Sequence, residues 1–392
     1  MCVLPFHLPV NRTQLTHHVK SIAQDLGFGP VGITTADPPG HWEFYRSWID
    51  KGYAGEMGYL KRNLEKREDP KSLVPGAKSI ICVGLNYLPL ASQEARHGPT
   101  GQVSLYARGD DYHDVMKKRL IEFQNQITDL LPGTKGRAYV DTGPVLEREF
   151  AARAGVGWFG KHTNLIHKRS GSWFFIGELI LTADLVPDPP ATDHCGTCTK
   201  CIEACPTHAI LEPYVLDSKR CISYLSIELK GPIPKALRPA MGDWVYGCDI
   251  CQDVCPWNQK HAQPTNDPVF QSRPGLDSPE LAGLLAMDQE EFSRRFRKSP
   301  IKRTKRRGLL RNAAVALGNV GSTDDIPILV VALQDNEPLV RSHAAWALGQ
   351  IGGEDASVAL VEREKQEDEV DVLREIQEAI IQSELCGRTT TD

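Results

Sequence analysis

The first 185 residues of the chain alternate between two spacings of apolar side chains. From Leu15 to Leu26 these side chains recur every three or four residues, which predicts an amphipathic helix with Asn11 or Thr13 as its cap and Gly27 as its stop. The same spacing predicts a second helix over residues 115–131. Short apolar runs predict buried strands at Val31 to Ile33, Ser79 to Tyr87, Arg137 to Asp141 and Phe174 to Leu181. This alternation predicts an α/β domain over residues 1–185, with helices packed on a sheet.

The C-terminal part of the chain carries an internal repeat. Residues 313–321, which read AAVALGNVG, return 31 residues later as AAWALGQIG at 344–352. That period is typical of a short helical-hairpin repeat, in which small side chains let neighbouring helices approach closely. Proline-rich segments at 187–190 and 264–274 separate this part from the preceding ones. We therefore predict a HEAT-like α-helical repeat domain over residues 275–388, and an α+β/α multidomain protein as a whole.

Composition agrees with a globular protein of two or three domains. The 392 residues are 41% hydrophobic and 24% charged. No apolar run approaches the roughly 20 residues that a membrane helix requires, and the segment Met1 to Val10 is too short and too proline-broken for a signal peptide. The sequence therefore predicts a cytoplasmic protein without membrane association.

Charge is unevenly distributed along the chain. The formal net charge is −5, yet residues 294–311 hold ten Lys or Arg and no Asp or Glu. Such a run is either a solvated basic face or linker, or a surface for a phosphate backbone. Its density within an otherwise acidic chain favours nucleic acid. The candidate contacts are Lys302, Arg303, Lys305, Arg306 and Arg307.

Eight cysteines follow the spacing of a bacterial two-cluster ferredoxin, with a Cys-Pro pair closing each half of the pattern. In that pattern three closely spaced thiolates hold one 4Fe-4S cluster and the fourth cysteine binds the other cluster. Paired C-x2-C spacings also occur in zinc sites, but the triple run and the repeated Cys-Pro ending favour iron and sulfur. The predicted first set is Cys195, Cys198, Cys201 and Cys255, and the second is Cys205, Cys221, Cys248 and Cys251. We place this ferredoxin-like domain at residues 186–262, where two clusters would relay electrons.

Asp141 ends a predicted strand, where functional loops of α/β proteins begin. Its carboxyl could donate a proton if burial raises its pKa, although a turn or cap aspartate fits the pattern equally well. The chain has no G-x-G-x-x-G or P-loop motif, so a nucleotide cofactor lacks support. Asp111 and His113 form D-x-H, but Met116 stands where a cobalamin-ligating motif needs glycine. His113 is therefore predicted to be a helix-start or pocket residue.

Several blocks of sequence together resemble the epoxyqueuosine reductase family, and the similarity spans nearly the whole chain. These blocks are residues 55–57, 73–78, 106–113, 141–144, 157–164, 220–225 and 299–303, beside the cysteine pattern and the repeat. The resemblance implies an oxidoreductase that reduces epoxyqueuosine to queuosine at the wobble position of tRNA, the last step of queuosine biosynthesis. It implies electrons relayed through two 4Fe-4S clusters to base-off cobalamin, with Asp141 as the catalytic acid.

Further expectations accompany this resemblance. Side chains and backbone N–H groups that suit the corrin are those of Arg148, Lys161, His162, Thr163, Asn164 and Ser223, although each could be an ordinary loop or cap residue. The basic residues at 302–307 would contact phosphates of the anticodon stem. We expect a monomer that accepts electrons from a flavodoxin- or ferredoxin-type donor. Two other functions stay open: a ferredoxin-type carrier without enzymatic activity, and a dehalogenase-like cobalamin reductase of a small molecule, which leaves the basic segment unexplained.

Overall fold

A computed structural model describes residues 11–91 and 98–388, without the side chains of 386–388. Met1 to Val10, which entered the signal-peptide argument, lies outside the described residues. The described part of the chain contains strands β1 (Val31–Thr35), β2 (Ser79–Asn86), β3 (Gln102–Val103), β4 (Gly136–Tyr139), β5 (Trp158–Phe159), β6 (Leu165–Ile166), β7 (Phe174–Leu181), β8 (Ile210–Glu212), β9 (Val215–Leu216) and β10 (Trp244–Tyr246).

The helices of the described part fall into three groups along the chain. Those of the first domain are α1 (Arg12–Asp25), α2 (Trp42–Asp50), α3 (Leu64–Glu68), α4 (Tyr112–Leu130) and α5 (Glu147–Arg153). Those of the cysteine-rich region are α6 (Lys200–Glu203), α7 (Ile222–Ile227), α8 (Ile250–Asp253) and α9 (Pro256–His261). Those of the C-terminal region are α10 (Leu281–Leu285), α11 (Gln289–Arg295), α12 (Lys305–Val320), α13 (Ile326–Ala332), α14 (Pro338–Ile351), α15 (Glu354–Glu364) and α16 (Val370–Arg388). Within the described ranges, no helix is long and apolar enough to cross a membrane.

The main sheet has four strands in the order β1, β2, β7, β4, and every pair of neighbours is antiparallel. The prediction of an α/β domain was therefore wrong in the pairing of its strands, although the strands lie where the apolar runs predicted them. An antiparallel sheet belongs to the α+β class. Periodicity along one strand cannot distinguish the two classes, because the direction of its neighbours depends on how the chain returns.

Helices cover both faces of this sheet. On one face, α1 and α4 pack over a core that includes Val83, Phe123 and Leu179. On the other face, α5 packs over a second core that includes Ile80 and Ile180. Alternate residues of β7 serve the two cores, as expected for a strand buried on both sides. One exception matters for function, because a charged residue, Glu178, occupies an inward position on the α5 face.

The repeat prediction is confirmed in the C-terminal domain, where helices stack in succession. α14 packs between α12 and α16. A Cβ on Gly318 of α12 would lie 2.6 Å from the Trp346 ring of α14, and one on Gly349 would lie 2.9 Å from Ala379 of α16. Small residues therefore permit the close approach of neighbouring helices.

The apolar core of the repeats continues into the segment 221–246, which carries Cys221 at its start. Arg311 of α12 is fully buried, and its guanidinium donates to the carbonyl oxygens of Leu225, Leu229 and Gly231. Asn312 donates to the carbonyl oxygens of Ser226 and Val245. The repeat domain thus holds the long loop between the two halves of the cysteine pattern. The domain limits given above stay predictions.

Candidate active site

Asp141 lies in the short loop between β4 and α5, on the open side of the sheet. Its backbone has a left-handed conformation, with φ at 52°. Its N–H donates to Oε1 of Glu147, the first residue of α5, at 2.5 Å. Gly143 lets the loop fold over the sheet, because a Cβ there would lie 2.3 Å from the ring of Tyr139. The Asp141 side chain is 53% exposed, so it is directed toward solvent at the mouth of the site.

Two donors from the start of α4 hold the Asp141 carboxylate. Oδ2 accepts from the Tyr112 hydroxyl at 2.7 Å and from Nε2 of His113 at 3.3 Å. The other ring nitrogen of His113, Nδ1, lies 2.7 Å from Oδ1 of Asp111, the residue that caps α4. Both ring nitrogens face carboxylate oxygens, which can only accept, so this geometry suits a doubly protonated imidazolium. We call Asp141, Tyr112, His113 and Asp111 the mouth cluster.

The mouth cluster sets its own protonation. Burial lowers the pKa of His113, but hydrogen bonds to Asp111 and Asp141 outweigh burial and raise this pKa to about 9. Burial acts to raise the pKa of Asp141, but the hydrogen bonds from His113 and Tyr112 outweigh it and lower this pKa below the ordinary value. The condition under which Asp141 by itself would hold a proton, a pKa raised by burial, is therefore not met. The exchangeable proton of this cluster resides on His113 at neutral pH.

Beneath the Asp141 loop lies a second group of acids, Glu147 and Glu178, which we call the floor pair. Glu178 is fully buried in the centre of β7, between Cys82 of β2 and Tyr139 of β4. Both of its carboxyl oxygens lack a hydrogen-bond donor among the described residues. Burial and the nearby Glu147 raise the pKa of Glu178 well above the ordinary value, and burial and Asp141 raise that of Glu147 to about 8.

Sequence analysis missed the floor pair, although a signal existed for half of it. Glu178 interrupts the apolar run Phe174 to Leu181 at a position where β7 is covered on both faces. A glutamate in such a strand is rarely buried without a reason. Glu147 carries no comparable signal, because a glutamate in the first turn of a helix is common.

The first predicted cysteine set lines one cavity. Cys195, Cys198, Cys201 and Cys255 share a cavity of about 220 Å³, whose wall also includes Lys161, His162 and Trp257. Burial and the neighbouring thiols raise the pKa of Cys201 to about 11 in the absence of a metal charge. The four thiols surround a cavity and do not converge on one position. Among the residues that the structure describes, no group of three or more His, Cys, Asp or Glu is placed to hold a metal ion. This donor set fits a cluster better than one ion.

The second predicted set is also brought together by the fold. Burial raises the pKa of Cys248, and the neighbouring Cys221 and Cys205 thiols raise it further. Cys221 and Cys248 act in the same way on Cys251. Cys251 in addition interacts with Cys201 of the first set, so the two sets are adjacent. Thiols influence one another within each predicted set and also, through Cys201 and Cys251, across the two sets, so the division into two ligand sets stays a prediction.

The six predicted corrin contacts do not form one surface. The Lys161 amino group donates to the carbonyl oxygens of Gly196 at 2.7 Å and Cys198 at 3.0 Å, so it fastens the first cysteine loop. His162 lines the same cavity, and its buried Nε2 has no partner among the described residues. Burial lowers the pKa of His162 to about 4, which keeps its ring neutral. The Lys161 and His162 side chains thus both lie against the first cysteine set. A resemblance between sequences cannot tell whether such side chains contact a corrin or the cysteines.

The other four candidates are distributed differently. Arg148, beside Glu147 at the start of α5, donates through Nη1 to the carbonyl oxygen of Thr163 at 2.6 Å, and Thr163 has φ at 71°. The Asn164 N–H donates to Nδ1 of His162 at 3.1 Å. The Ser223 N–H donates a hydrogen bond to the Cys221 thiol, which acts to lower the pKa of that thiol. Arg148 and Thr163 therefore remain as polar groups on the Asp141 side, whereas Ser223 serves the second cysteine set.

The basic segment lies against the mouth cluster. The Asp111 N–H donates to the carbonyl oxygen of Lys298 at 2.9 Å, so this segment contacts the cap of α4. Arg303 pairs with Glu228 at 2.7 Å and lies over the ring of Tyr59, and its charge reaches Asp141. Nucleic acid bound along this segment would therefore pass the Asp141 carboxylate.

The five predicted phosphate contacts are not equivalent. Arg306 is only 18% exposed and pairs with Asp335, while its Nε donates to the carbonyl oxygen of Met287. Its assignment as a phosphate contact is therefore wrong, because its hydrogen bonds are used inside the protein. Arg307 lies 3.9 Å from Glu337. Lys302 and Lys305 are exposed and contact no carboxylate within residues 11–91 and 98–388, so they are available to a phosphate.

Three family models match successive parts of the chain. The first, described as epoxyqueuosine reductase QueG, DUF1730, matches residues 67–142, which include the mouth cluster. The second, a 4Fe-4S double cluster binding domain, matches residues 194–258, which include all eight cysteines. The third, HEAT repeats, matches residues 303–381. The iron-sulfur and HEAT predictions are thereby confirmed, and zinc is set aside.

Two curated relatives and one solved structure illustrate what this chain is similar to. Epoxyqueuosine reductase from Xanthomonas campestris pv. campestris is 43% identical over 345 residues, covering 87% of this chain and 97% of that protein. The enzyme from Escherichia coli K12 is 41% identical, covering 87% of this chain and 91% of that protein. A crystal structure of epoxyqueuosine reductase with an epoxyqueuosine-modified tRNA-Tyr stem loop superposes with a TM-score of 0.89 at 31% identity, covering 95% of this chain and 100% of that one.

Proposed function

This chain belongs to the epoxyqueuosine reductase family, and from that premise we propose that it reduces epoxyqueuosine in tRNA to queuosine at the mouth cluster. The observation that carries the proposal is the Asp141 carboxylate, held between Tyr112 and a doubly hydrogen-bonded His113 beside a basic segment. Opening an epoxide leaves an oxygen that must be protonated, so a positioned acid accelerates the step. A ferredoxin-type carrier needs no such acid, and a small substrate needs no basic segment.

Asp141 and His113 act as one proton donor in this proposal. The proton rests on His113, because both ring nitrogens face carboxylates, and it can pass to the substrate oxygen through the Asp141 carboxyl. The left-handed backbone of Asp141 and its N–H bond to Glu147 keep that carboxylate at the mouth. Before transfer, the charge of His113 stabilises the Asp141 carboxylate.

Electrons would reach the site through the two cysteine sets. Cys201 and Cys251 act on each other across the boundary between the sets, which supports two adjacent 4Fe-4S clusters in one relay. Lys161 fastens the first cysteine loop through two carbonyl oxygens, and Ser223 serves Cys221. These contacts keep the thiols in place while the clusters change charge.

Cobalamin fits this chain in part. Arg148 and Thr163 offer a guanidinium and a strained polar backbone on the Asp141 side, suited to the amide and phosphate groups of the cofactor. Cobalamin with its base detached would supply the electrons at a nucleophilic cobalt. Asp111 and His113 are already bonded to each other and to Asp141, so His113 is not free as a metal ligand.

The substrate would lie along the basic segment. Of the five candidate phosphate contacts, Lys302 and Lys305 are exposed and have no carboxylate partner among the described residues, and Arg303 lies between them in sequence and close to the site. The likeness to a solved complex with a modified stem loop supports this course. We further propose a cytoplasmic monomer that accepts electrons from a flavodoxin- or ferredoxin-type donor and performs the last step of queuosine biosynthesis.

Product analysis tests the proposal. The anaerobically reconstituted protein, supplied with cobalamin and a chemical reductant, is incubated with tRNA bearing epoxyqueuosine, and the nucleosides are analysed by mass spectrometry. We expect loss of one oxygen atom and formation of queuosine, and none when cobalamin is withheld. Unchanged epoxyqueuosine with fully loaded clusters and cobalamin would contradict the proposal.

A further inference from the structure

The proposed reaction consumes more protons than one carboxyl delivers. Reducing an epoxide to an alkene takes two electrons and two protons and releases one water molecule: both carbon–oxygen bonds break, and the oxygen gains two hydrogens. The mouth cluster holds its exchangeable proton on His113 and can supply the first. A second proton has to reach the same oxygen within the turnover, and a group beside the mouth cluster can supply it without a proton from bulk solvent at that step. This inference rests on the proposed function.

The floor pair lies directly behind the mouth cluster. Glu147 contacts the Asp141 loop, because its Oε1 accepts the Asp141 N–H at 2.5 Å. The Glu147 and Glu178 carboxyls are close enough that each influences the pKa of the other. Glu147 is half-buried and Glu178 is fully buried, so the pair leads from the edge of the site into the sheet.

Hydrogen bonding in the floor pair requires a proton. Two ionised carboxylates only accept, and on that basis both oxygens of Glu178 are without a donor among the described residues. A buried carboxylate without a donor is costly, and two adjacent carboxylates repel each other. A proton shared between Glu147 and Glu178 removes both penalties, while Oε1 of Glu147 still accepts the Asp141 N–H.

We propose that Glu147 and Glu178 store the second proton of the reaction and pass it to the substrate oxygen after the mouth cluster has delivered the first. The O–H bond of the Glu147 carboxyl breaks and an O–H bond of the departing water forms. Both carboxyls of the pair are then ionised, and the pair takes one proton from solvent after the product leaves. The electrons come through the clusters, so the step needs no further reagent. Glu178 never touches the substrate and acts through Glu147.

The surroundings of Glu178 support storage. Cys82 from β2 is fully buried, and burial followed by the charge of Glu178 raises the pKa of its thiol. Tyr139 from β4 has a buried hydroxyl without a partner among the described residues. Glu147 from α5 and Asp141 from the loop are acidic. Two cations influence the neighbours of Glu178: Arg148 acts to lower the pKa of Glu147, and Arg153 acts to lower that of Cys82. Acids therefore dominate around Glu178, and they favour its neutral form.

The variant Glu178→Gln tests the proposal, because glutamine keeps the size of the side chain and removes the transferable proton. Glu149→Gln is the matched control, since Glu149 is also buried and lies on α5, but it accepts from the Gly40 N–H outside the site. We expect Glu178→Gln to lower kcat by about 100-fold, the low end of the range for an acid, with KM for the tRNA unchanged. The fall should deepen as pH rises toward 8, whereas Glu149→Gln keeps the wild-type pH profile.

A spectroscopic readout separates this role from a structural one. Infrared difference spectra of the full-length protein without cobalamin, recorded between pH 5 and pH 9, should show a protonated-carboxyl band that persists to about pH 8 and is lost in both Glu178→Gln and Glu147→Gln. Wild-type kcat and pH profile in Glu178→Gln, or a wild-type spectrum without the band at pH 7, would overturn the inference. Absence of queuosine from the wild-type enzyme itself would instead contradict the proposed function.

Discussion

The mouth cluster and the floor pair hold carboxyls a few residues apart, yet the two regions have opposite protonation. At the mouth, Asp141 is half exposed and accepts from Tyr112 and from His113, so its pKa is lowered. In the floor, Glu178 has no donor among the described residues, and its pKa is raised. The same chemical group is thus a permanent charge in one region and a neutral acid in the other.

The pKa values of these acids differ because of their hydrogen-bond partners more than because of how deeply they are buried. Burial alone would raise the pKa of every acid in the site, and it acts in that direction on Asp141 as well. Two hydrogen-bond donors reverse it at the mouth, whereas in the floor pair the Asp141 N–H and the Arg148 charge at Glu147 do not outweigh burial and the neighbouring acids. One site can therefore hold an ionised carboxylate that relays a proton from His113 and a neutral carboxyl that stores a second proton.

The largest expected effect comes from removing the charge at the mouth. Asp141→Asn keeps the shape of the side chain but cannot carry the proton from His113, so we expect turnover to fall by about 1,000-fold or more. Cluster absorbance should not change, because the hydrogen-bond partners of Asp141 among the described residues are Tyr112, His113 and Glu147 and include no cysteine. The control is Asp184→Asn, since Asp184 has a similar exposure of 54% and pairs with Arg12 away from the site. Comparable turnover of the two variants would exclude Asp141 as the acid.

A smaller effect is expected from His113→Gln, which can still donate to Asp141 but carries no charge. The folded pKa of His113 is about 9, above its ordinary value near 6.5, so in the wild type the proton is present through neutral pH and is lost as pH rises through 9. Wild-type turnover should therefore fall above pH 9. In the variant we expect about a 100-fold lower rate and no such limb. A wild-type limb that survives in His113→Gln would assign it to another group.

The pH dependence of the free energy of unfolding tests whether the floor pair holds a proton. The pKa of Glu147 is raised to about 8 in the folded chain, so the folded state holds a proton that the unfolded state releases. The resulting stabilisation is complete below about pH 4.5 and is lost as pH rises to 8. Glu147→Gln should flatten this dependence by about 1 to 2 kcal/mol, measured by urea unfolding of the cluster-free chain. Glu149→Gln removes a buried carboxylate that lies outside the floor pair, where it accepts from the Gly40 N–H and pairs with His41, and it should leave the loss of stability between pH 4.5 and 8 in place.

The smallest effect applies the same distinction between partnered and unpartnered groups to the basic segment. Lys302→Ala with Lys305→Ala removes two unpartnered cations and should lower the salt dependence of tRNA binding by about 0.7 to 0.9 per lost contact. Arg306→Ala breaks its ion pair with Asp335 instead, so it should lower the melting temperature and leave that slope unchanged. The reverse pattern would show that partners within the chain do not predict which cations bind phosphate.

Sequence predicted the elements that local pattern determines. The helix at Arg12–Asp25 is capped by Asn11, the strand Phe174–Leu181 has the predicted ends, and the repeat helices stack through Gly318 and Gly349. The cysteine sets followed from the spacing of the thiols alone. Each of these features depends on a few neighbouring residues or on a fixed spacing.

The features that sequence could not predict depend on contacts between distant segments. The antiparallel sheet depends on how strands far apart in the chain return to each other. The low pKa of Asp141 depends on His113, 28 residues earlier, and the burial of Arg306 depends on Asp335 in the next repeat. Lys161 looked like a corrin contact because its loop matches the family, but its side chain reaches the cysteine loop.

The measurement that tests the central contrast most directly is a pH titration of the carboxyl carbons by NMR, with the aspartates and glutamates of the full-length chain labelled with carbon-13. Asp141 is assigned by its loss in Asp141→Asn, and the floor pair by the Glu147→Gln and Glu178→Gln variants. We predict that Asp141 keeps the shift of an ionised carboxylate to below pH 3.8, while Glu147 keeps a neutral shift until about pH 8. An Asp141 that titrates above Glu147, or a floor pair that is fully ionised at pH 7, would contradict the account.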